Sequence, residues 1–351
     1  MIVLLLVLIW GQAPKWGQAP FTGNLGVLGV AGVGTQRGTV PISEARQLIN
    51  AGEPRKAIDL LQPLTATADA SLRPQIDLLL GVAYYHADEP AKAIEILARV
   101  ADGFPADSIE RREADQILGL ASVVTGRFAD AIPRLEATRR WAPENMELTY
   151  ALAQAYIQTQ QPDAARAAAA SIYGVAPDSA SAHLIAAQLM IRFEMEPQAE
   201  GQLTKAIAKD PRLPGANLLL GQIALFRGRL ADAIALTERE LAINPANAMA
   251  LSQLGDAYIR QSKSDEAIAA LQKSIWLNPY YSAPYILLGR AYARKDQPAA
   301  AESMLRRAIQ FDPNNRTAHY LLAQLLQQTG RTDEAKREFE IAERLRSPRD
   351  R

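Results

Sequence analysis

The sequence has no cysteine, which excludes a disulfide framework, a thiolate metal site and a cysteine near the start that could carry a lipid. Histidine occurs three times, at His86, His183 and His319, too sparsely for a histidine metal cage. Charge of either sign is not in excess: 38 Lys and Arg offset 38 Asp and Glu, so no global field favours nucleic acid or an anionic membrane. Lys and Arg are scattered among acids, and the densest clusters, Arg111-Arg112 and Arg139-Arg140, read as solvated surface. No apolar run approaches the ~20 residues needed to cross a bilayer as a helix. The longest, MIVLLLVLIW at residues 1–10, has the length of an export-signal core.

What the chain has is repetition. The stretch 248–279, AMALSQLGDAYIRQSKSDEAIAALQKSIWLNP, returns in type every 34 residues. With Ala248 as position 1, Leu254 is position 7, Gly255 is 8, Tyr258 is 11, Ala267 is 20, Leu271 is 24 and Pro279 is 32. At about 3.6 residues per turn, positions 7, 8 and 11 share one face of a first helix, and 20, 24 and 27 share one face of a second. Small residues at 8 and 20 allow the helix backbones to approach, and proline at 32 stops the second helix. The ladders Pro143, Pro177, Pro211, Pro245, Pro279, Pro313 and Ala131, Ala165, Ala199, Ala233, Ala267, Ala301, Ala335 keep the period without slip. Position 8 reads Gly119, Ala153, Ala187, Gly221, Gly255, Gly289 and Ala323.

This pattern resembles the tetratricopeptide repeat family, in its bacterial type. The resemblance implies an all-α fold, a right-handed α-solenoid (superhelix) of stacked helix-turn-helix units, and a non-catalytic scaffold that binds proteins. About nine units fit between residues 41 and 346, with a tail at 347–351. The first unit is irregular, because Pro63 interrupts its second helix. Pro105 and Pro143 are 38 residues apart, which predicts an added turn on a helix opening at Asp107 or Ser108. Gly126, Gly228 and Gly330 at position 15 predict the turns within units.

Ahead of the array, residues 1–20 form an apolar N-terminal segment that suits a signal peptide, and 21–40 form a Gly-rich linker. No Lys or Arg precedes the apolar run, and Gly11-Gln12-Ala13 and Gly17-Gln18-Ala19 are each followed by proline, which disfavours cleavage. Export to the periplasm or exterior is the preferred reading, with an uncleaved tail or an upstream artefact of start-site choice, and a cytoplasmic protein, as alternatives. Gly29 and Gly34 have the outer spacing of a phosphate loop, but Thr35-Gln36 stands where Lys-Ser/Thr is required.

No catalytic, cofactor or metal residues are assigned. His183 and His319 both occupy position 4, four repeats apart, and are read as packing or surface residues. Acids such as Asp232, Asp265, Glu266, Asp333 and Glu334 fall at positions 18 and 19, opening second helices, where negative charge favours the helix dipole. In the resembled family, positions 2, 5, 9, 12 and 13 of the first helix line the concave face and receive a peptide or a partner's helix. Position 9 lies about 100° from position 8 and so beside the packing face.

Carried over, that implies a groove of Tyr150, Gln154, Gln158, Leu184, Gln188, Arg192, Gln222, Phe226, Asp256, Arg260, Arg290, Arg294, Tyr320 and Gln324, with Leu218, Ile286 and Gln328 at the same positions. Amides can bond a peptide backbone, arginines can take carboxylates, and aromatics can anchor. Equally, glutamine is simply a good polar helix former on an exposed face. The lysine–asparagine clamp of chaperone-tail-binding members is not reproduced at positions 5 and 9. The expected function is an adaptor in a bacterial envelope or secretion assembly. The alternative is a docking or regulatory subunit of a glycosyltransferase or polysaccharide-export system. The expected partner is a protein or peptide, without nucleic acid, small-molecule substrate or cofactor, and with membrane contact only through an uncleaved N-terminal segment.

Overall fold

A helical apolar period broken once mid-unit and once by proline folds into helix pairs, and the described residues are built of little else. The computed structural model describes residues 36–346, with side chains from 41 onward. The apolar segment 1–20 and the tail 347–351 lie outside the described residues, as does the linker stretch up to residue 35. No strand occurs among the described residues.

The chain divides into two compact units, Met1–Pro177 and Asp178–Arg351. The first holds α1 (Gln36–Asn50) paired with α2 (Pro54–Leu61), the short α3 (Leu64–Thr67), α4 (Arg73–His86) with α5 (Pro90–Val100), a 3-10 turn (Ala101–Gly103), α6 (Ile109–Val124) with α7 (Phe128–Trp141), and α8 (Met146–Gln158) with α9 (Pro162–Ile172). The second holds α10 (Ala180–Arg192) with α11 (Glu196–Lys209), α12 (Ala216–Phe226) with α13 (Leu230–Ile243), α14 (Ala248–Arg260) with α15 (Ser264–Leu277), α16 (Ser282–Arg294) with α17 (Pro298–Phe311), and α18 (Arg316–Gln328) with α19 (Thr332–Arg344). Each unit is an all-α solenoid of helix-turn-helix pairs, the fold class the period implies. One boundary moves: α1 opens at Gln36, inside the stretch read as linker at 21–40, because helix growth from a docked turn is cooperative and runs past its first packed residue.

Local chemistry sets the element ends. Ser108 caps α6, accepting from Arg111 N–H, so the four extra residues do lengthen that helix at its start. Asn145, Ser179, Asn247 and Asn315 cap α8, α10, α14 and α18 in the same way. α7, α13, α15 and α17 end two residues before Pro143, Pro245, Pro279 and Pro313. Position 15 takes a left-handed backbone in every pair, by glycine at Gly126 (φ 75°) and Gly330 (φ 81°) but also by Gln160 (φ 58°) and Ser262 (φ 62°). The close of the first helix demands that conformation whatever residue stands there.

The core repeats one contact. A Cβ added to Gly255 would lie 2.5 Å from Leu271 Cγ, to Gly119 2.6 Å from Leu135 Cδ2, and to Gly289 2.6 Å from Leu305 Cγ. Position 24 leucine thus seats in the notch of position 8, and the position-20 alanines are buried throughout. Within the first unit α1 touches α4, α4 touches α6 and α6 touches α8; within the second α12 touches α14, α14 touches α16 and α16 touches α18. In each unit these first helices form a layer, and the second helices α2, α5, α7, α11, α13, α15 and α17 pack on their own partners and on the following first helices.

One pair departs from the pattern. α12 has Leu213 where its neighbours carry Asn or Ser, and opens late, after Gly215 at φ 87°. Glu240, 1% exposed, occupies position 27, small in neighbouring repeats, and accepts the Gly215 N–H at 2.9 and 3.0 Å. A carboxylate from α13 thus replaces the missing cap.

Candidate functional site

In the first unit, α8 carries Tyr150, Gln154 and Gln158 at positions 5, 9 and 13. Tyr150 and Gln154 are half-buried and Gln158 is exposed. In the second, α10 carries Leu184, Gln188 and Arg192; α12 carries Gln222 and Phe226; α14 carries Asp256 and Arg260; α16 carries Arg290 and Arg294; α18 carries Tyr320 and Gln324. Leu184 is buried and lines no open surface, and Ile286 at the same position is buried too, although Tyr320, also at position 5, is 43% exposed. Phe226 is the opposite case, 79% exposed.

The arginines are already engaged. Arg260 donates to Asp256 through Nε at 3.1 Å and Nη2 at 2.9 Å, and to the Leu225 carbonyl through Nη1 at 3.2 Å. Arg290 Nη1 lies 3.5 Å from Asp256 Oδ1. Arg294 donates through Nη1 to the Ile259 carbonyl. Arginine at position 13 therefore closes the carboxyl end of the preceding first helix, where free carbonyls attract a cation. Asp256, half-buried, thus pairs with two of the three guanidiniums, those of Arg260 and Arg290.

Beside them, Gln324 Nε2 donates to Tyr320 Oη at 3.3 Å, and the Tyr320 ring stands edge-on to Phe339 at 5.6 Å. A cavity of about 160 Å³ opens between α16 and α18, lined by Arg290, Arg294, Gln324 and Gln328 over Leu305, Leu321 and Leu325. The leucines were missed from sequence because they read as core. A second hollow of about 440 Å³ in the first unit lies between the turns at 52–56 and 86–88; no sequence signal marks it.

The histidines pack. His183 meets Gln202 at 2.6 Å and Asp178 at 3.2 Å; His319 meets Glu338 at 2.6 Å and the Pro313 carbonyl at 3.0 Å. Both join position 4 of a first helix to position 23 of its partner. The same positions carry Asp115 and Arg134, 2.7 Å apart. Arg111, read from sequence as solvated, belongs to this cluster, donating through Nε to Asp115 at 2.8 Å. Its acidic partners are supplied by its own helix and the 3-10 turn, which no run of basic residues discloses. Among the described residues no group of three or more His, Asp or Glu could hold a metal, and no helix is long and apolar enough to cross a membrane.

Burial, with Glu147 nearby, pushes the Tyr85 hydroxyl up to about 12, and burial, with a hydrogen bond to Glu136, does the same for Tyr156. The fold therefore favours the neutral phenols, while the unfolded chain ionises near 10.0. Stability from these groups is complete below that value and is lost as pH rises toward 12. Thermal melts at pH 9 and pH 11 should show the midpoint falling, and Tyr156→Phe should remove part of the fall.

The period, the caps and the Gly–Leu notch recur through both units, and family models agree. One model, described as tetratricopeptide repeat, matches residues 42–108, 197–248 and 218–282; a second of the same description matches 125–189 and 292–344. The chain belongs to the tetratricopeptide repeat family. No curated protein matches it. Similar solved structures include MamA from Desulfovibrio magneticus RS-1, 20% identical over 48% of this chain and 95% of that one, with a TM-score of 0.43. A thermophilic tetratricopeptide repeat protein of Thermus thermophilus is 22% identical over 47% of this chain and 90% of that one, TM-score 0.42. A chain of the APC/C hetero-tetramer Cut9-Hcn1 is 17% identical over 82% of this chain and 55% of that one, TM-score 0.44. Membership of this repeat family supports a scaffold for protein–protein interaction.

Proposed function

We propose that this tetratricopeptide repeat protein is a non-catalytic adaptor, exported in a bacterium, that holds a segment of a partner protein along the first-helix layer of residues 178–351 within an envelope or secretion assembly. The observation that carries the reading is Phe226: a large apolar ring left 79% exposed in a row of otherwise polar positions, one residue from the carbonyl that Arg260 binds. A partner anchors an apolar side chain on that ring and lays its backbone across the amides of Gln222, Gln324 and Gln328. An acidic side chain or terminal carboxylate then meets Arg294 at the mouth of the cavity that Gln324 lines. The N-terminal run at 1–10 supports export.

Pull-down from an envelope fraction identifies the partner; a co-purifying glycosyltransferase would favour the docking-subunit alternative. Once the partner is in hand, Phe226→Ala should weaken binding about tenfold with an unchanged helical signal. Equal affinity of variant and parent would move the site off this layer. Arg260→Ala with Arg294→Ala is the poorer test, since both side chains also cap a neighbouring helix and their loss lowers stability as well as binding.

A further inference from the structure

The outward side of the second helices carries a charge pattern that the first-helix layer does not use. Position 26 is basic in four successive pairs, Lys205, Arg239, Lys273 and Arg307, all exposed. Arg307 lies over the Phe311 ring at 5.1 Å, but Lys205, Arg239 and Lys273 have no ion-pair partner among the described residues. Most other cations of these pairs are spoken for: Lys209 by Asp178, Arg229 by Glu200, Lys295 by Asp265 and Arg306 by Glu302. Among these four pairs, position 19 is acidic only in the central two, at Asp232 and Glu266, both exposed. Asp232 has a single long contact, 3.9 Å to Arg229, which is itself held by Glu200 at 2.7 Å, and Glu266 has no ion-pair partner among the described residues.

Seven residues separate acid from base on α13 and on α15. At 1.5 Å per residue they stand about 10.5 Å apart on one side of the helix, out of reach of each other. Midway between them lie exposed alanines, Ala235 and Ala269, which offer no bulk to hold another helix away.

We infer that α13 and α15 form a self-association face, on which a second copy of this chain packs with its own α13 and α15 running antiparallel. A two-fold axis lying across the two helices sets Asp232 of one copy against Arg239 of the other and Glu266 against Lys273. Each contact occurs twice by symmetry, as a self-complementary interface requires. A parallel arrangement sets acid on acid and base on base, so the pattern selects orientation as well as attraction. The same antiparallel register sets Trp276, 80% exposed, level with Lys263 at the opening of the other copy's α15, an ammonium that in its own chain lies 5.9 Å from the Tyr258 ring and that a second ring can share. That gives an otherwise unexplained indole a place. A purely acidic partner fits less well, because Asp232 and Glu266 would repel it.

Sedimentation equilibrium of the full chain tests this. The parent should dimerise, more tightly at low salt. Arg239→Glu with Lys273→Glu makes the face wholly acidic, and Asp232→Lys with Glu266→Lys makes it wholly basic. Each pair variant alone should raise the dimer dissociation constant by at least about tenfold. An equimolar mixture of the two variants should dimerise again, as should a chain carrying all four reversals. Should a reversal disturb folding, Arg239→Gln with Lys273→Gln, checked by its helical signal, should show the same weakening to a smaller degree. A parent that stays monomeric up to about 100 μM, variants that dimerise like the parent, or a mixture that stays monomeric would each overturn the inference.

Discussion

Ala267→Leu should lower the stability of the array by about 1–3 kcal/mol, seen as a lower melting midpoint or an earlier urea transition. Ala267 is 0% exposed and occupies position 20, where the second helix comes closest to the first. At the equivalent places in neighbouring pairs, the Ala233 and Ala301 carbonyls lie 3.4 Å from where a Cβ on Gly221 or Gly289 would sit. Extra methylenes cannot be taken up by a rotamer change, because the neighbouring helix is a backbone. They must push the pair apart and loosen the fully buried Leu271 from the notch at Gly255. Gly255→Val should act from the other side of the same contact, since its Cβ would lie 2.5 Å from Leu271 Cγ. Ala299→Leu on α17, an exposed alanine, is the control and should change little. An Ala267→Leu protein that melts like the parent would mean the register is wrong.

The second large effect belongs to the first unit. Asp115→Ala should cost about 3 kcal/mol in urea unfolding, because it leaves two largely buried guanidiniums with too few partners. Asp115 is 5% exposed and accepts from Arg111 Nε at 2.8 Å and Arg134 Nη1 at 2.7 Å. Both arginines also reach Asp102 in the 3-10 turn, at 2.8 and 2.7 Å, so four charged groups tie α6, α7 and that turn together. Asp115→Asn keeps the shape and one acceptor and should cost less. A hydrogen bond from Arg134 holds the Asp102 carboxyl below its usual range. Its contribution is therefore complete above the ordinary value of 3.8 and is lost only as pH falls through the lower value it has when folded. If Asp115→Ala unfolds with the parent, the cluster is ordinary surface pairing.

The amino-acid order determined which stretches are helices, where they stop and how they pair. Those features rest on neighbours three to sixteen residues apart: Asn or Ser at a cap, a left-handed turn at position 15, Ala at 20, Leu at 24 seated on Gly at 8. A period that repeats in sequence must repeat in space, because each pair buries its apolar face only by stacking on the next. The residues along the first-helix layer were legible as positions for the same reason. What they do there was not. Leu184 and Phe226 stand in the same stripe, yet one is sealed and the other open, since the shape of the adjoining pair settles how much of each remains uncovered. Arg260 and Arg294 read as groove arginines able to take a partner's carboxylate, but long side chains reach whichever carbonyl or carboxylate the neighbouring helix presents. Asp256 and the carbonyls of Leu225 and Ile259 come within range only once the pairs are stacked. Nothing in the sequence singles out Glu240, because Gly215, whose N–H it accepts, lies twenty-five residues earlier. Local periodicity thus decides the helices, and tertiary packing decides the partners of every charged side chain long enough to cross from one helix to another.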